Sequence, residues 1–201
     1  MNRIQTCRKA KPNKGHFALS EIQNLFPERF ALISQNVDGL HFQSEMDEKD
    51  LFLIHGDLRY MRCSDSCSDE LFPIPDKLIN RDKKKRLTYD ETKLLQCPSC
   101  DDIFRPHVLW FDEYYNEKFY KLDTIRQIAK ETDLLFVIGT TGTTGLPKQI
   151  VALALEHSNL IIEINPKRSL MTDRIEQSKN GFWIKGRSGK ILPEIVNIMQ
   201  S

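Results

Sequence analysis

Four cysteines stand in two tight pairs, Cys63-Ser-Asp-Ser-Cys67 and Cys97-Pro-Ser-Cys100, with 29 residues between the pairs. Zinc takes four thiolates tetrahedrally, and a spacing of two to four residues lets one turn of chain present two sulfurs to one ion. Four sulfur ligands would leave no open coordination position, so such a metal is structural and not a Lewis acid. Four unrelated buried cysteines, or two disulfides, are the other readings of these residues. The chain has five cysteines, an odd number, and its basic N-terminus has no apolar core of a secretory signal. Paired spacing in such a chain favours zinc and reduced thiols in a cytoplasmic setting. Cys7 stands alone and reads as an ordinary thiol.

A second group of residues suits a nucleotide. Gly139-Thr-Thr-Gly-Thr-Thr-Gly145 follows an apolar run and leads into a helical pattern. Glycines there let the backbone approach a phosphate or ribose, and threonine hydroxyls and free N–H groups can donate to it. A glycine-rich turn of purely steric origin is the plainer reading, because the segment matches neither the Gly-x-Gly-x-x-Gly nor the P-loop pattern. Ser34-Gln-Asn-Val-Asp38 is a denser polar cluster at the end of another apolar run. In an open α/β sheet the carboxyl edge of the strands is where ligands bind. Asn165, after Ile164, could reach the same crevice. His55 closes the run Leu51–Ile54 and precedes Gly56, and an imidazole with a pKa near ~6.5 can take a proton at neutral pH. His16, His41, His107 and His157 are assigned to structure.

The elements that must position these groups can be read from periodicity. Asn13 is a suitable N-cap for a helix carrying Ala18, Ile22 and Leu25, which Pro27 ends. Phe30–Ser34, Leu51–Ile54, Leu134–Ile138, Leu160–Ile164 and Gly181–Ile184 read as short strands buried on both faces. Phe119, Leu122, Ile125 and Ala129 mark one amphipathic helix. Pro147 suits the first turn of the next, and a last helix runs around Pro193 to Met199. Strands alternating with helices imply an α/β fold, a Rossmann-like, mostly parallel sheet covered on both faces. Residues 58–104 change character and read as a small zinc-binding module inserted between 1–57 and 105–201. Twenty-nine basic and 28 acidic side chains leave a formal charge of +1, and no apolar run approaches the length of a membrane span. That gives no electrostatic case for nucleic acid or membrane as a partner. The run Lys83-Lys84-Lys85-Arg86 lacks interleaved aromatics and reads as a solvated turn.

Taken in order, Lys11-Pro-Asn-Lys-Gly-His16, Gln35-Asn-Val-Asp38-Gly-Leu-His41, His55-Gly56, the cysteine pairs, Arg105-Pro-His-Val-Leu-Trp-Phe-Asp-Glu113, Gly139-Thr-Thr141 and Ile164-Asn165 resemble a sirtuin. The resemblance runs from about residue 11 to Pro193. Sirtuins are NAD-dependent protein-lysine deacylases. The resemblance implies that His55 is the general base acting on a ribose hydroxyl of NAD, and that Gln35, Asn36, Val37 and Asp38 surround the nicotinamide and its ribose. It implies that Gly139, Thr140 and Thr141 lie beside the adenosine ribose and phosphates, that Asn165 contacts the adenosine ribose, and that Ser188 contacts adenine. Val108–Glu113 and Gly145–Pro147 would clamp an acyl-lysine peptide by strand addition. In the family's reaction the acyl group passes to ADP-ribose, and nicotinamide and free lysine are released.

The chain also departs from the family. Sirtuins open with a Gly-Ala-Gly-x-Ser turn and an Asp-Phe-Arg stretch, and this sequence starts after both. The expectation is an N-terminally truncated catalytic domain whose sheet lacks a central strand and whose pyrophosphate lacks its main cradle. The alternative to a deacylase is a non-catalytic remnant that binds ADP-ribose or a partner. Asp112 stands where glycine is usual. Arg3 falls where sirtuins that remove succinyl or malonyl groups place an arginine, so the reaction reads as deacetylation or desuccinylation.

Overall fold

The computed structural model describes residues 2–82 and 84–201; Met1 and Lys83, the latter part of the basic run, lie outside them. Helices α1 (Asn2–Lys9) and α2 (Lys14–Leu25) precede β1 (Leu32–Ser34) and β2 (Leu51–Leu53). Then come β3 (Gly56–Cys63), β4 (Phe72–Pro73), α3 (Asp76–Ile79), α4 (Tyr89–Lys93) and β5 (Phe104–Val108). The chain continues through α5 (Glu117–Tyr120), α6 (Leu122–Glu131), β6 (Leu134–Ile138), α7 (Gly145–Glu156), β7 (Leu160–Asn165), α8 (Thr172–Glu176), β8 (Gly181–Lys185) and α9 (Ser188–Gln200).

Alternation along the parallel strands decides which helices cover which face. Leu32, Phe136, Ile138, Ile162, Ile164 and Ile184 point to one side, where they pack on α2 and α9 through Ala18, Ile22, Leu192 and Val196. Ile33, Leu135, Val137 and Ile161 point to the other, against α6, α7 and α8. Helices therefore lie on both faces, as the sequence pattern implies. The parallel strands form two sheets, β1-β2 and β6-β7-β8. Side chains, not a ladder, join them: Phe30 and Leu32 share one apolar cluster with Phe136 and Ile138.

A third sheet, antiparallel in the order β4-β3-β5, carries the cysteine segment and has its own apolar centre. Ile4 of α1 enters that centre. Gln5 Nε2 donates to the Ile79 carbonyl at 2.7 Å, and Arg8 pairs with Asp76. No described helix is long and apolar enough to cross a membrane.

Local chemistry explains most boundaries. Asn13 caps α2 as expected: its side chain accepts the Gly15 N–H while His16 Nδ1 accepts the Asn13 N–H. The helix expected through Phe119 and Ala129 is instead two, broken at Lys121 with φ 53°. Two side chains cap two different starts. Asn116 accepts the Phe119 N–H, and the Glu117 carboxylate accepts the N–H groups of Asp123 and Thr124. The last helix begins at Ser188, so Pro193 lies inside it. The ring removes a hydrogen bond near the first turn, while burial of Leu192 and Val196 holds the helix against the sheet.

Of the other four histidines, His16 belongs to the cap of α2. His157 closes α7, its Nδ1 meeting the Leu153 carbonyl at 2.9 Å. His41 and His107 are buried, and each leaves Nδ1 without a partner among the described residues. Burial first, and then nearby cationic groups (His16 for one, Arg62 for the other), push each ring down to about 4. The fold thus favours the neutral rings. The unfolded chain, with histidines at ~6.5, binds protons first on acidification, so stability is full above that pH and declines toward pH ~4. Unfolding free energies from denaturant titrations should fall across this window by on the order of 2 kcal/mol per ring. A His41→Asn, His107→Asn double variant should have a flatter profile, and an equally steep one would contradict the assignment.

Candidate functional site

Gln35, the first residue after β1, joins three strand ends. Its Nε2 donates to Thr140 Oγ1 at 3.0 Å, its Oε1 accepts from Thr144 Oγ1 at 3.1 Å, and its carbonyl meets His55 Nδ1 at 2.9 Å. Thr140 follows β6, and its carbonyl accepts from Asn165 Nδ2 at 2.7 Å at the end of β7. Its hydroxyl also accepts the Gly142 N–H at 3.2 Å, which tightens the turn. Gly139 lies at φ +61° with no atom within 4 Å of where a Cβ would stand, so the backbone there is open to a ligand. His55, Gln35, Thr140 and Asn165 therefore meet at the carboxyl edge of the parallel strands, as a ligand crevice in this fold requires.

The remaining polar candidates line the neighbouring loops. The Asn36 N–H donates to Ser34 Oγ at 3.2 Å, and its exposed side chain has no hydrogen-bond partner among the described residues. The Val37 carbonyl accepts the Leu58 N–H at 3.0 Å, tying the loop to β3. Asp38 Oδ1 accepts the Leu40 N–H at 3.0 Å around Gly39. Thr141 Oγ1 lies 3.1 Å from Thr143 Oγ1 and is exposed. Ser188 opens α9 just beyond the end of β8.

His55 sits in the turn between β2 and β3. The turn depends on Gly56, at φ +86°, where a Cβ would come 2.2 Å from the His107 carbonyl oxygen. The Leu109 N–H donates to the His55 carbonyl at 3.0 Å. Burial lowers the imidazole pKa below its ordinary value, while the Gln35 carbonyl pulls it back up. A carbonyl carries no proton, so Nδ1 holds the hydrogen and Nε2 is the acceptor.

The segment after β5 is pinned by one carboxylate. Glu113 pairs with Arg105 through both of its oxygens and with Arg62 at 3.3 Å, and it accepts the Trp110 N–H at 2.7 Å. Burial pushes its carboxyl up, but hydrogen bonds from Arg105 and Trp110 hold it below the usual range. Beyond this anchor Phe111 and Tyr114 stand in solvent, while Tyr115 turns inward to put its hydroxyl 2.9 Å from His55 Nε2. Cavities of about 380 and 340 Å³ border β3, and neither is lined by His55.

The four cysteine sulfurs of Cys63, Cys67, Cys97 and Cys100 lie within 4.8 Å of one another. The closest pairs are 3.5 Å apart, too far for a bond between sulfurs and close to the edge of a thiolate tetrahedron around zinc. The Ser99 N–H, aimed at Cys97, outweighs desolvation and draws that thiol down to about 7. The donor set fits structural zinc.

Similarity to known proteins agrees with this geometry. The model of the Sir2 family matches residues 1–144. This chain belongs to the Sir2 family. An NAD-dependent protein deacylase of Leptospira interrogans is 38% identical over 196 residues, covering 97% of this sirtuin chain and 69% of the relative. One of Pyrococcus furiosus is 33% identical over 194 residues, covering 96% and 70%. The crystal structure of a Sir2 homolog–NAD complex superimposes with a TM-score of 0.79 at 27% identity, covering 98% of this chain and 68% of that one.

Two side chains beside these residues have partners that the sequence alone does not give. Thr144 has the position and type of an N-cap for α7, yet its hydroxyl bonds Gln35 instead. Tyr115 carries no motif; only the fold brings it to His55. For the cysteines, metal analysis should find one zinc per chain, and Cys97→Ser with Cys100→Ser should remove it. Because zinc binding is coupled to folding, the metal-free variant should melt at least ~10 °C lower. Full metal retention in that variant would contradict the assignment.

Proposed function

We propose that this sirtuin chain catalyses NAD-dependent protein-lysine deacylation with His55 as the general base. The observation that carries the reading is the tautomer held by the Gln35 carbonyl, which makes Nε2 the proton-accepting nitrogen beside the polar strand ends. NAD, when bound, would supply the ADP-ribose that accepts the acyl group and the nicotinamide that leaves. Gln35, Asn36, Val37 and Asp38 would surround the nicotinamide end; Gly139, Thr140, Thr141, Asn165 and Ser188 would take the adenosine end. Polar groups with bonding capacity to spare among the described residues support a ligand here: the side chain of Asn36, the open backbone at Gly139, and the Asn165 amide, whose nitrogen is bonded and whose oxygen is left over.

In this reading 1–57 and 105–201 hold the dinucleotide, and 58–104 is a metal-braced insert. Acyl-lysine protein substrates would lie as an added strand along Val108–Glu113 and Gly145–Pro147, where main-chain bonding recognises peptide backbone more than sequence. The acyl group divides between acetyl and succinyl, and assays with both peptides separate the two. Because burial lowers the His55 pKa, the acid limb of kcat/KM should fall below pH ~6.5. The decisive assay follows NAD-dependent release of acyl groups from a lysine peptide. His55→Gln should lower kcat by ~100-fold or more while ADP-ribose still binds. Turnover within threefold of wild type would contradict the role of His55; ADP-ribose binding without turnover by the wild-type chain would identify a binding module instead.

A further inference from the structure

His55 Nε2 already has a partner. With the hydrogen on Nδ1, facing the Gln35 carbonyl at 2.9 Å, Nε2 offers a single lone pair in the plane of the ring. The Tyr115 hydroxyl stands 2.9 Å from it and donates. Burial raises the Tyr115 pKa above its ordinary value, so the group is a phenol with a proton to give. The approach is not a surface accident. Tyr115 follows Glu113, which is fixed by two arginines and the Trp110 N–H, and its ring packs in the apolar cluster of Ile54, Ile125 and Leu146. The rings of His55 and Tyr115 lie 6.0 Å apart and 28° from parallel, with Tyr120 edge-on to Tyr115 at 6.3 Å.

A general base needs this same lone pair. An imidazole nitrogen cannot accept two hydroxyl protons at full strength, so the sugar hydroxyl of an incoming dinucleotide must take the place of the phenol. We infer that Tyr115 is a positioning residue that holds the acceptor nitrogen of His55 in the ligand-free enzyme and gives it up to the ribose hydroxyl when NAD binds. The inference rests on His55 being the base. It involves no covalent step: one O–H···N bond is exchanged for another, and the freed phenol turns to solvent. The exchange protects the neutral tautomer before substrate arrives, because a donor on Nε2 stabilises uncharged imidazole over imidazolium. It also opposes NAD binding by the strength of one net hydrogen bond.

Tyr115→Phe tests this with almost no change of shape. In the ligand-free protein the His55 titration, followed by NMR of the imidazole carbons, should shift upward. NAD affinity by calorimetry should rise about threefold to tenfold, and KM for NAD should fall by a similar factor with kcat within twofold of wild type. Tyr114→Phe, at the exposed neighbouring ring, should change none of these. An unmoved His55 titration with unchanged or weakened NAD affinity would overturn the inference. So would a fall in kcat at constant KM, which would place the phenol in the chemical step. The titration and the calorimetry need no turnover, so they decide the matter even if the deacylase assay fails.

Discussion

One amide side chain and its own carbonyl hold the functional edge of this protein together. Gln35 spans β1 to β6 through Thr140 and Thr144, and its main chain sets the His55 tautomer. Where β1 and β6 share no ladder, these polar bonds and the apolar cluster that Leu32 and Phe136 both pack against fix the relation of the two parallel sheets. A buried or half-buried polar network of this kind is effective only if its members are satisfied. Here each Gln35 amide atom has one partner, and the Asn165 amide nitrogen extends the chain to β7.

The cysteine module matters to the same edge through the strands it feeds. β3 leaves the His55 turn directly and ends at Cys63, while β5 begins at Phe104, after Cys100, and ends where the Leu109 N–H grips the His55 carbonyl. Tension or loosening in the cysteine cluster would therefore reach the His55 turn along two paired strands. Glu113 is the second brace: a carboxylate shared by two nearly buried arginines costs desolvation, which Arg105 offsets by bonding it through two nitrogens. The cost is repaid in placement, because the segment from Trp110 to Tyr115 starts from that fixed point.

Much of this was legible in the residues. Asn13 caps the helix it precedes, Leu134–Ile138 is a strand to the residue, and the paired cysteines converge, because each is a local signal that tertiary packing reinforces. The polar residues at strand ends were readable for the same reason, since topology sends those ends to one edge. Competition between local signals hid the rest. Asn116 and Glu117 cap different turns, so a single apolar stripe became two helices. α1 has one buried apolar residue, Ile4, and is held by tertiary contacts that no periodicity announces. Thr144 and Tyr115 serve partners more than fifty residues away, and nothing in a one-dimensional pattern encodes such a pairing.

The central claim is that the carbonyl of Gln35 fixes which nitrogen of His55 carries the proton. Long-range nitrogen–proton correlation NMR on imidazole-labelled protein at pH 8 reads that directly. The account predicts a protonated Nδ1 and a bare Nε2 at residue 55, lost when Gln35 is replaced by proline to swing the carbonyl away or when the fold is denatured. A ring protonated at Nε2 in the native chain would contradict it.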